Sequence, residues 1–142
     1  MIAETESQRL QRVANDQPAF AKHLGIRLVS FGMEKVVAEL DSTEELSNRN
    51  GVMHGGAVMG FADNVGGTLA SLYLGPGQMT TTVESKTNFL RSIPKGQTAT
   101  ATATPLHAGR RTVVVETRIT RTDGKLAAIV TQTQMLMRRE RD

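Results

Sequence analysis

The chain has 142 residues with four Phe, one Tyr, no Trp and no Cys, and its formal net charge is +3. This length is typical of one domain and is enough to bury a core without metal ions or disulfides. The absence of Cys excludes a disulfide framework, a thiolate nucleophile and a Cys-based zinc site. So few aromatic side chains argue against base stacking as the main role, and we expect neither a metal nor nucleic acid.

Targeting signals are not apparent in the sequence. The N-terminal stretch MIAETESQRLQRVANDQP contains acidic residues and lacks the apolar core of a secretory signal. No apolar run reaches the roughly 20 residues that a membrane-spanning helix needs. We therefore expect a soluble, cytoplasmic protein that does not bind membranes.

Charge is distributed unevenly along the chain. Residues 1–84 carry 6 bases and 10 acids, whereas residues 85–142 carry 11 bases and 4 acids. A basic half can attract the phosphates of a nucleic acid or of a small anionic ligand. Solvated strand faces rich in Lys and Arg would give the same pattern.

No linker, repeat or low-complexity segment divides the chain. We expect an N-terminal helical segment over residues 1–24, one domain over residues 25–137 and a disordered charged tail over residues 138–142. The first segment contains a helix over 5–14 and a second helix that is capped by Asp16 and ends before Gly25. Two strands, over 26–31 and 35–41, begin the domain.

A long helix and four strands follow. Residues 56–74 are rich in Ala, Val, Met, Leu and Gly on nearly all sides, which predicts a helix that is buried all round. The alternation QTATATAT predicts a strand over 97–104, and strands are also predicted over 80–90, 111–121 and 125–137. The turns are His107-Ala108-Gly109 and Asp123-Gly124. This order predicts an α+β fold with one long helix beside a single curved antiparallel sheet.

Asp63 is the one formally charged residue between Asn50 and Val83. Placing a carboxylate among apolar and small residues costs free energy, unless the group stays solvated, is hydrogen-bonded or serves a function. Three interpretations remain open: Asp63 is exposed on a wet side of the helix, it is a buried structural acid, or it is a working carboxylate in a cleft. Its helical neighbours include no basic residue.

The sequence His54-Gly55-Gly56 stands where the predicted helix begins. The first amides of a helix have no partners within it, and the helix dipole favours negative charge there. Two glycines let a ligand oxygen approach, as an oxyanion site requires, although a tight turn would also use them. Asp63 lies about 10.5 Å further along the axis. We therefore expect a substrate to meet Gly56 of one subunit and Asp63 of another.

The segments NRNGVMHGGAVMGFADNVGG, VESKTNFLRSIPKG, HAGRRT and GKLAAIVTQTQ resemble the hotdog-fold acyl-CoA thioesterases. The nearest branch is the phenylacetate-pathway and human thioesterase-superfamily-2-like group, and the resemblance covers roughly residues 25–137. It implies a long central helix wrapped by a curved six-stranded antiparallel sheet. It also implies homodimers that join sheets edge to edge, often dimers of dimers (homotetramers), with sites across the dimer interface. No cofactor is implied, because CoA is part of the substrate.

The resemblance also implies roles for individual residues. Asp63 would be the catalytic carboxylate, as nucleophile or as general base for water, and the Gly56 N–H would polarise the thioester carbonyl. His54 would help to hold the thioester end. Asn48 would position water or substrate, and Thr82 would lie near the attacking water.

The same resemblance assigns a CoA-binding set to the basic half. Arg110 and Arg111 are the first choices for phosphate contacts, followed by Arg91 and Lys95; they could instead be solvated turn charges, and His107 a hairpin residue. The full set is Gly55, Glu84, Phe89, Arg91, Lys95, His107, Gly109, Arg110, Arg111 and Thr112.

Two other functions stay open from the sequence. A hotdog-fold dehydratase or hydratase would pair His54 with Asp63 for proton transfer, and a non-catalytic module would only bind acyl-CoA. The sequence leaves the acyl group open among aryl-acetyl, benzoyl and medium-chain groups.

Overall fold

The structure is a computed structural model, and it describes residues 2–140. Two short helices come first, followed by two strands, one long helix and four further strands. The elements are α1 (Glu6–Asn15), α2 (Ala19–Leu24), β1 (Arg27–Ser30), β2 (Val36–Asp41), α3 (Gly55–Ser71), β3 (Gln78–Phe89), β4 (Thr98–Ala108), β5 (Thr112–Thr120) and β6 (Leu126–Arg138). The predicted order of elements is confirmed.

All six strands form one antiparallel sheet in the order β1-β2-β4-β5-β6-β3. The edge strands are therefore β1, which has four residues, and β3, which has twelve. The helix α3 packs against β2, β3, β4, β5 and β6, so the sheet wraps around it. This is the hotdog arrangement that the resemblance implies.

The alternating sequence of β4 explains how closely the helix approaches the sheet. Ala99, Ala101 and Ala103 point inwards and are fully buried, while the threonines between them are half-buried on the other face. The methyl side chains leave room for the larger core residues of α3, such as Phe61 and Leu69, which are fully buried. Burying a side chain of that size stabilises the fold by about 1.5–3 kcal/mol.

The prediction that the long helix is buried all round is wrong. Gly56, Met59 and Asp63 lie one turn apart on one stripe, and all three are exposed. The helix also ends at Ser71, because Leu72, Tyr73 and Leu74 form a turn with short-range backbone hydrogen bonds. One side of α3 therefore faces away from the sheet of its own protomer.

Three boundaries differ from the predictions. Asp16 is the C-cap of α1, and α2 begins after Pro18 without a side-chain cap. Strand β4 continues to Ala108 across a register shift between Pro105 and His107, so the turn into β5 begins at Gly109.

Helix α2 and the end of β6 both contact the rest of the domain. Phe20 of α2 lies against Gly60, where an added Cβ would come 3.1 Å from the ring. At the other end, Arg138 is the last residue of β6 and the Arg139 N–H donates to the Gly77 carbonyl at 2.9 Å. Residues 141 and 142 of the predicted disordered tail lie outside the described residues. Between residues 2 and 140, no helix is long and apolar enough to cross a bilayer.

Candidate active site

Asp63 lies on the exposed stripe of α3, beside the edge strand β3. It lines a cleft of about 330 Å³ between α3, β3 and the segment that joins α1 to α2. Its Oδ1 accepts two hydrogen bonds, from the Thr82 hydroxyl at 2.7 Å and from Gln132 Nε2 at 3.2 Å. Asp63 is therefore an exposed carboxylate held in one orientation, not a buried structural acid.

The hydroxyl of Thr82 is itself held in place by a second amide. Gln134 Nε2 donates to Thr82 Oγ1, and Gln134 Oε1 accepts from the Thr80 hydroxyl at 3.1 Å. These hydrogen bonds form a series from Thr80 through Gln134 and Thr82 to Asp63, and each is donated in the direction of Asp63. Hydrogen bonds arranged head to tail in this way strengthen one another.

Gln132 lies unusually close to the backbone of α3. A Cβ added at Gly66 would come 2.2 Å from Gln132 Oε1 and 2.6 Å from its Cδ. Glycine at position 66 thus leaves the space that the side chain of Gln132 occupies. Sequence reasoning assigned no role to Gln132 or Gln134, although both stand in the quoted segment GKLAAIVTQTQ.

The N-terminus of α3 lies in a different part of the protomer. His54 is the N-cap residue, and its Nδ1 accepts a hydrogen bond from the Gly56 N–H at 2.8 Å. The carbonyl of His54 accepts from the N–H groups of Ala57 and Val58. The amide predicted to bind an oxyanion is therefore occupied by the imidazole of its own chain in the free protomer.

A second cleft, of about 340 Å³, adjoins this helix end. The ring of Phe89 lies against Gly55, where an added Cβ would come 3.3 Å from it. Asn48 also lines the cleft; its Oδ1 accepts from the Asn50 N–H at 2.9 Å, and no residue between 2 and 140 accepts a hydrogen bond from its NH₂ group. Met53, Val58 and Ile93 supply apolar walls.

The four cations predicted to bind phosphate are not equivalent. Arg91 Nη1 donates to the Leu126 carbonyl at 2.7 Å, and Lys95 forms an ion pair with Glu44. The hydrogen bond with Glu44 raises the pKa of Lys95. Arg110 and Arg111 are exposed, and neither forms an ion pair within residues 2–140.

These cations also lie at opposite ends of the sheet. The Arg91 N–H bonds to the Ala127 carbonyl at the start of β6, whereas the Arg111 carbonyl accepts from the Leu136 N–H near its end. Leu136 lies nine residues after Ala127 in β6, which is about 30 Å along the strand. One protomer therefore does not bring the predicted CoA-binding residues together.

The other predicted binding residues are divided in the same way. Glu84 is exposed on β3, and Phe89 ends that strand. His107, Gly109 and Thr112 belong to the β4–β5 hairpin, where the imidazole of His107 lies over Gly109 and the Gly109 N–H donates to the Thr112 carbonyl. The position of His107 is therefore that of a structural residue in the hairpin.

No group of three or more His, Asp or Glu side chains between residues 2 and 140 is arranged as metal ligands would be. The groups in and beside the two clefts include a carboxylate, an imidazole, side-chain amides and hydroxyls, and the amides of a helix end. That no cofactor takes part stays a prediction.

Residues 50–128 match the sequence profile of the Thioesterase superfamily. A 1,4-dihydroxy-2-naphthoyl-CoA hydrolase from Listeria monocytogenes is 33% identical over 106 residues, which cover 75% of this chain and 85% of that protein. The chain belongs to the Thioesterase superfamily. It is thus a hydrolase of the thioesterase class, as the resemblance implies.

Solved structures agree with this assignment. A thioesterase from Haemophilus influenzae has a TM-score of 0.80 and 27% identity, covering 96% of this chain and 93% of its own. The PaaI protein of the Escherichia coli phenylacetic acid degradation operon has a TM-score of 0.81 and 26% identity, covering 95% and 94%. The predicted likeness to the phenylacetate-pathway branch is confirmed.

Proposed function

We propose that this protein hydrolyses an acyl-CoA thioester to the free acid and CoA. Asp63 acts as nucleophile or general base, and the Gly56 N–H of the partner subunit is the oxyanion donor. The observation that carries the proposal is the placement of Asp63, held by Thr82 and Gln132 at an exposed stripe beside the unpaired edge of the sheet.

Hydrolysis of a thioester needs little more than an activating carboxylate and an oxyanion donor. General-base help contributes about 10²–10⁴-fold to the rate, and one oxyanion donor about 2.7–4 kcal/mol. Because His54 Nδ1 accepts from the Gly56 N–H in the free protomer, the thioester oxygen would replace the imidazole at that amide. His54 would then be free to contact the thioester end.

The edge strand β3 supports a homodimer. It has twelve residues and no neighbour on one side within residues 2–140. Val83 and Phe89 are 51% and 54% exposed, and Met59 on the adjacent stripe is 41% exposed. A long unpaired edge presents a row of free backbone N–H and C=O groups that a strand of another chain can pair with.

Antiparallel pairing of two β3 strands would assemble the divided site. Gly55 lies against the ring of Phe89, whereas Asp63 is bonded to Thr82, which is seven residues, or about 23 Å, back along β3 from Phe89. An antiparallel partner presents its Phe89 end to the half of β3 that contains Thr82. The same pairing brings Arg91 of one protomer towards Arg110 and Arg111 of the other.

The relatives suggest which acyl groups to test first. The Listeria relative is named for a dihydroxynaphthoyl-CoA, and the E. coli structure comes from a phenylacetic acid operon. Aryl and aryl-acetyl CoA thioesters therefore come before medium-chain ones. The phosphates of CoA complement the exposed guanidinium groups of the β4–β5 hairpin.

The direct test is thiol release from a panel of aromatic and aliphatic acyl-CoAs. Asp63→Asn should lower kcat at least about 100-fold on the best substrate, and Asp41→Asn is the matched control. Asp41 is an exposed carboxylate on β2 paired with Arg27, and its variant should keep the native rate.

Three results would contradict the proposal. Native turnover by Asp63→Asn would remove the carboxylate from the mechanism. Interconversion of 3-hydroxyacyl and enoyl thioesters without thiol release would favour a hydratase. Tight binding of acyl-CoA without turnover across the panel would favour a binding module.

Mixed dimers test whether the site is shared. Gly56→Pro removes the oxyanion donor in the first turn of α3, where the N–H has no partner within the helix, and Asp63→Asn removes the carboxylate. Co-expressed in equal amounts, the two inactive variants should recover about a quarter of the native activity, because half of the dimers then hold one intact site. A site confined to one protomer would recover none.

A further inference from the structure

We propose that Gln132 and Gln134 are positioning residues of this hydrolysis: they fix the carboxylate of Asp63 through Oδ1 and leave Oδ2 to act. The inference rests on the proposed function, since it assigns roles around the same carboxylate. It concerns the two amides of β6 that the predicted site did not include.

Gln132 acts on Asp63 directly. Its Nε2 lies 3.2 Å from Asp63 Oδ1 and 3.5 Å from the Asp63 carbonyl oxygen, so one amide group faces both the side chain and the backbone of that residue. The side chain of Gln132 is fully buried, which fixes its orientation. Reversing the amide would place its oxygen against the carboxylate, so this orientation of the amide is the favourable one.

Gln134 acts through Thr82. Its Nε2 donates to the Thr82 hydroxyl oxygen, which commits the hydroxyl proton to Asp63 Oδ1 at 2.7 Å. Gln134 is 1% exposed and its own oxygen accepts from the Thr80 hydroxyl. The amide is thus fixed at both ends, and the Thr82 hydroxyl has a single favourable direction.

The two oxygens of the carboxylate are therefore distinct. Oδ1 accepts from Thr82 and Gln132, whereas no donor within residues 2–140 reaches Oδ2. An oxygen that already accepts two hydrogen bonds is a poorer base and nucleophile than one that accepts none. The geometry thus selects Oδ2 as the oxygen that attacks the thioester carbon or takes the proton from water.

A core-filling role alone does not account for Gln132. Its Oε1 is buried and has no hydrogen-bond partner in the part of the chain that the structure describes. The inward positions before it on β6, Ala128 and Val130, are apolar and buried. An apolar side chain would fill the same space without burying an unsatisfied oxygen, so the donor group facing Asp63 is what distinguishes glutamine here.

The test compares kcat and KM on the best acyl-CoA substrate. Gln132→Met and Gln134→Met keep the approximate side-chain volume and remove the amide, and each should lower kcat about 10- to 100-fold while KM stays within about 2-fold. Thr82→Val should do the same, and Thr82→Ser, which keeps the hydroxyl, should restore the rate. Thr117→Val, a buried isosteric change in β5, is the control and should leave kcat unchanged.

Double variants distinguish the two routes. Because Gln134 acts only through the hydroxyl, Gln134→Met should cause no further loss of kcat in a Thr82→Val background. Gln132→Met should still lower kcat in that background, because its contact with Asp63 is direct. A merely structural role would give losses that add in both cases and that follow thermal stability.

The outcomes separate this inference from the proposed function. If Asp63→Asn is inactive while Gln132→Met and Gln134→Met keep native kcat, the positioning roles are wrong and the proposed function stands. If Asp63→Asn is itself fully active, the proposed function fails first. If Gln132→Met does not fold, the Thr82→Val and Thr82→Ser pair and Gln134→Met decide the matter.

Discussion

Two buried threonines differ in whether their hydroxyl groups have hydrogen-bond partners. Thr68 is 7% exposed, and its hydroxyl donates to the Asn64 carbonyl at 2.8 Å and accepts from Gln17 Nε2 at 3.3 Å. Thr117 in β5 is fully buried, and its hydroxyl has no partner between residues 2 and 140. A buried polar group without a partner loses its hydrogen bonds to water and gains nothing in return.

We expect Thr117→Val to raise the free energy of unfolding by about 1 kcal/mol, because it removes an unsatisfied hydroxyl and keeps the shape of the side chain. Thr68→Val should lower it by about 0.5–1.5 kcal/mol, since it breaks two hydrogen bonds. Urea unfolding of both variants measures the difference. A loss of stability from Thr117→Val would contradict this prediction, because it would mean that the Thr117 hydroxyl is hydrogen-bonded in solution.

The sequence predicted part of the site at this scale. Asp63 stood out because its neighbours are uncharged, and His54, Gly55 and Gly56 because a helix begins there. The resemblance added Thr82, whose hydroxyl the structure places on Asp63. Gln132 and Gln134 could not be found in this way, because a strand pattern does not say which face is inside, and a shift of one residue exchanges the two faces.

At the scale of elements, the contact between α3 and β6 depends on Gly66. Gln132 projects from β6 into the space that a side chain at position 66 would fill, whereas the nearest side-chain atom to a Cβ at Gly67, Gln134 Nε2, is 3.9 Å away. Glycine costs about 1 kcal/mol of helix stability relative to alanine. At position 66 the glycine makes room for Gln132, whereas at position 67 no close contact requires a glycine.

Gly66→Ala should therefore destabilise the protein by about 1–3 kcal/mol through overpacking, whereas Gly67→Ala should stabilise it by up to about 1 kcal/mol. In a Gln132→Ala background the added methyl at position 66 has space, and Gly66→Ala should become stabilising as well. Thermal unfolding of the four variants measures this coupling. Destabilisation by Gly66→Ala that persists in the Gln132→Ala background would mean that another contact causes it.

The elements themselves were largely predictable. The Ala-Thr alternation of β4 and the Asp-Gly turn before β6 are strong local signals, and both are confirmed. Helix ends were less predictable. Asp16 and Pro18 permit a cap at either residue, and the local sequence does not show that the backbone N–H of Asp16 closes α1 on the Arg12 carbonyl.

At the scale of the whole molecule, the two edges of the sheet differ. Strand β1 is four residues long and β3 is twelve, and each presents an exposed valine: Val29 is 57% exposed and Val83 is 51% exposed. The stripe of α3 that contains Asp63 lies beside β3. Local sequence patterns could not give this arrangement, because strand order and the open side of the helix depend on long-range packing.

Val83→Lys should prevent association through β3, because a charged side chain on an edge strand opposes pairing. We expect the mass measured by light scattering to fall to that of a single chain and thioesterase activity to be lost with it. Val29→Lys places the same charge on the other edge and should change neither. An active protein of unchanged mass from Val83→Lys would exclude β3 as the interface.

Pairing through the open edge of β3 would make the specific activity depend on the enzyme concentration. If each reaction centre needs residues from two chains, then lowering the enzyme concentration below the dissociation constant removes centres faster than it removes chains. The initial velocity should then follow the square of the chain concentration in very dilute solution and become proportional to it when the enzyme is concentrated. Specific activity should accordingly decline on extreme dilution and recover when inactive carrier chains, such as Asp63→Asn, are added.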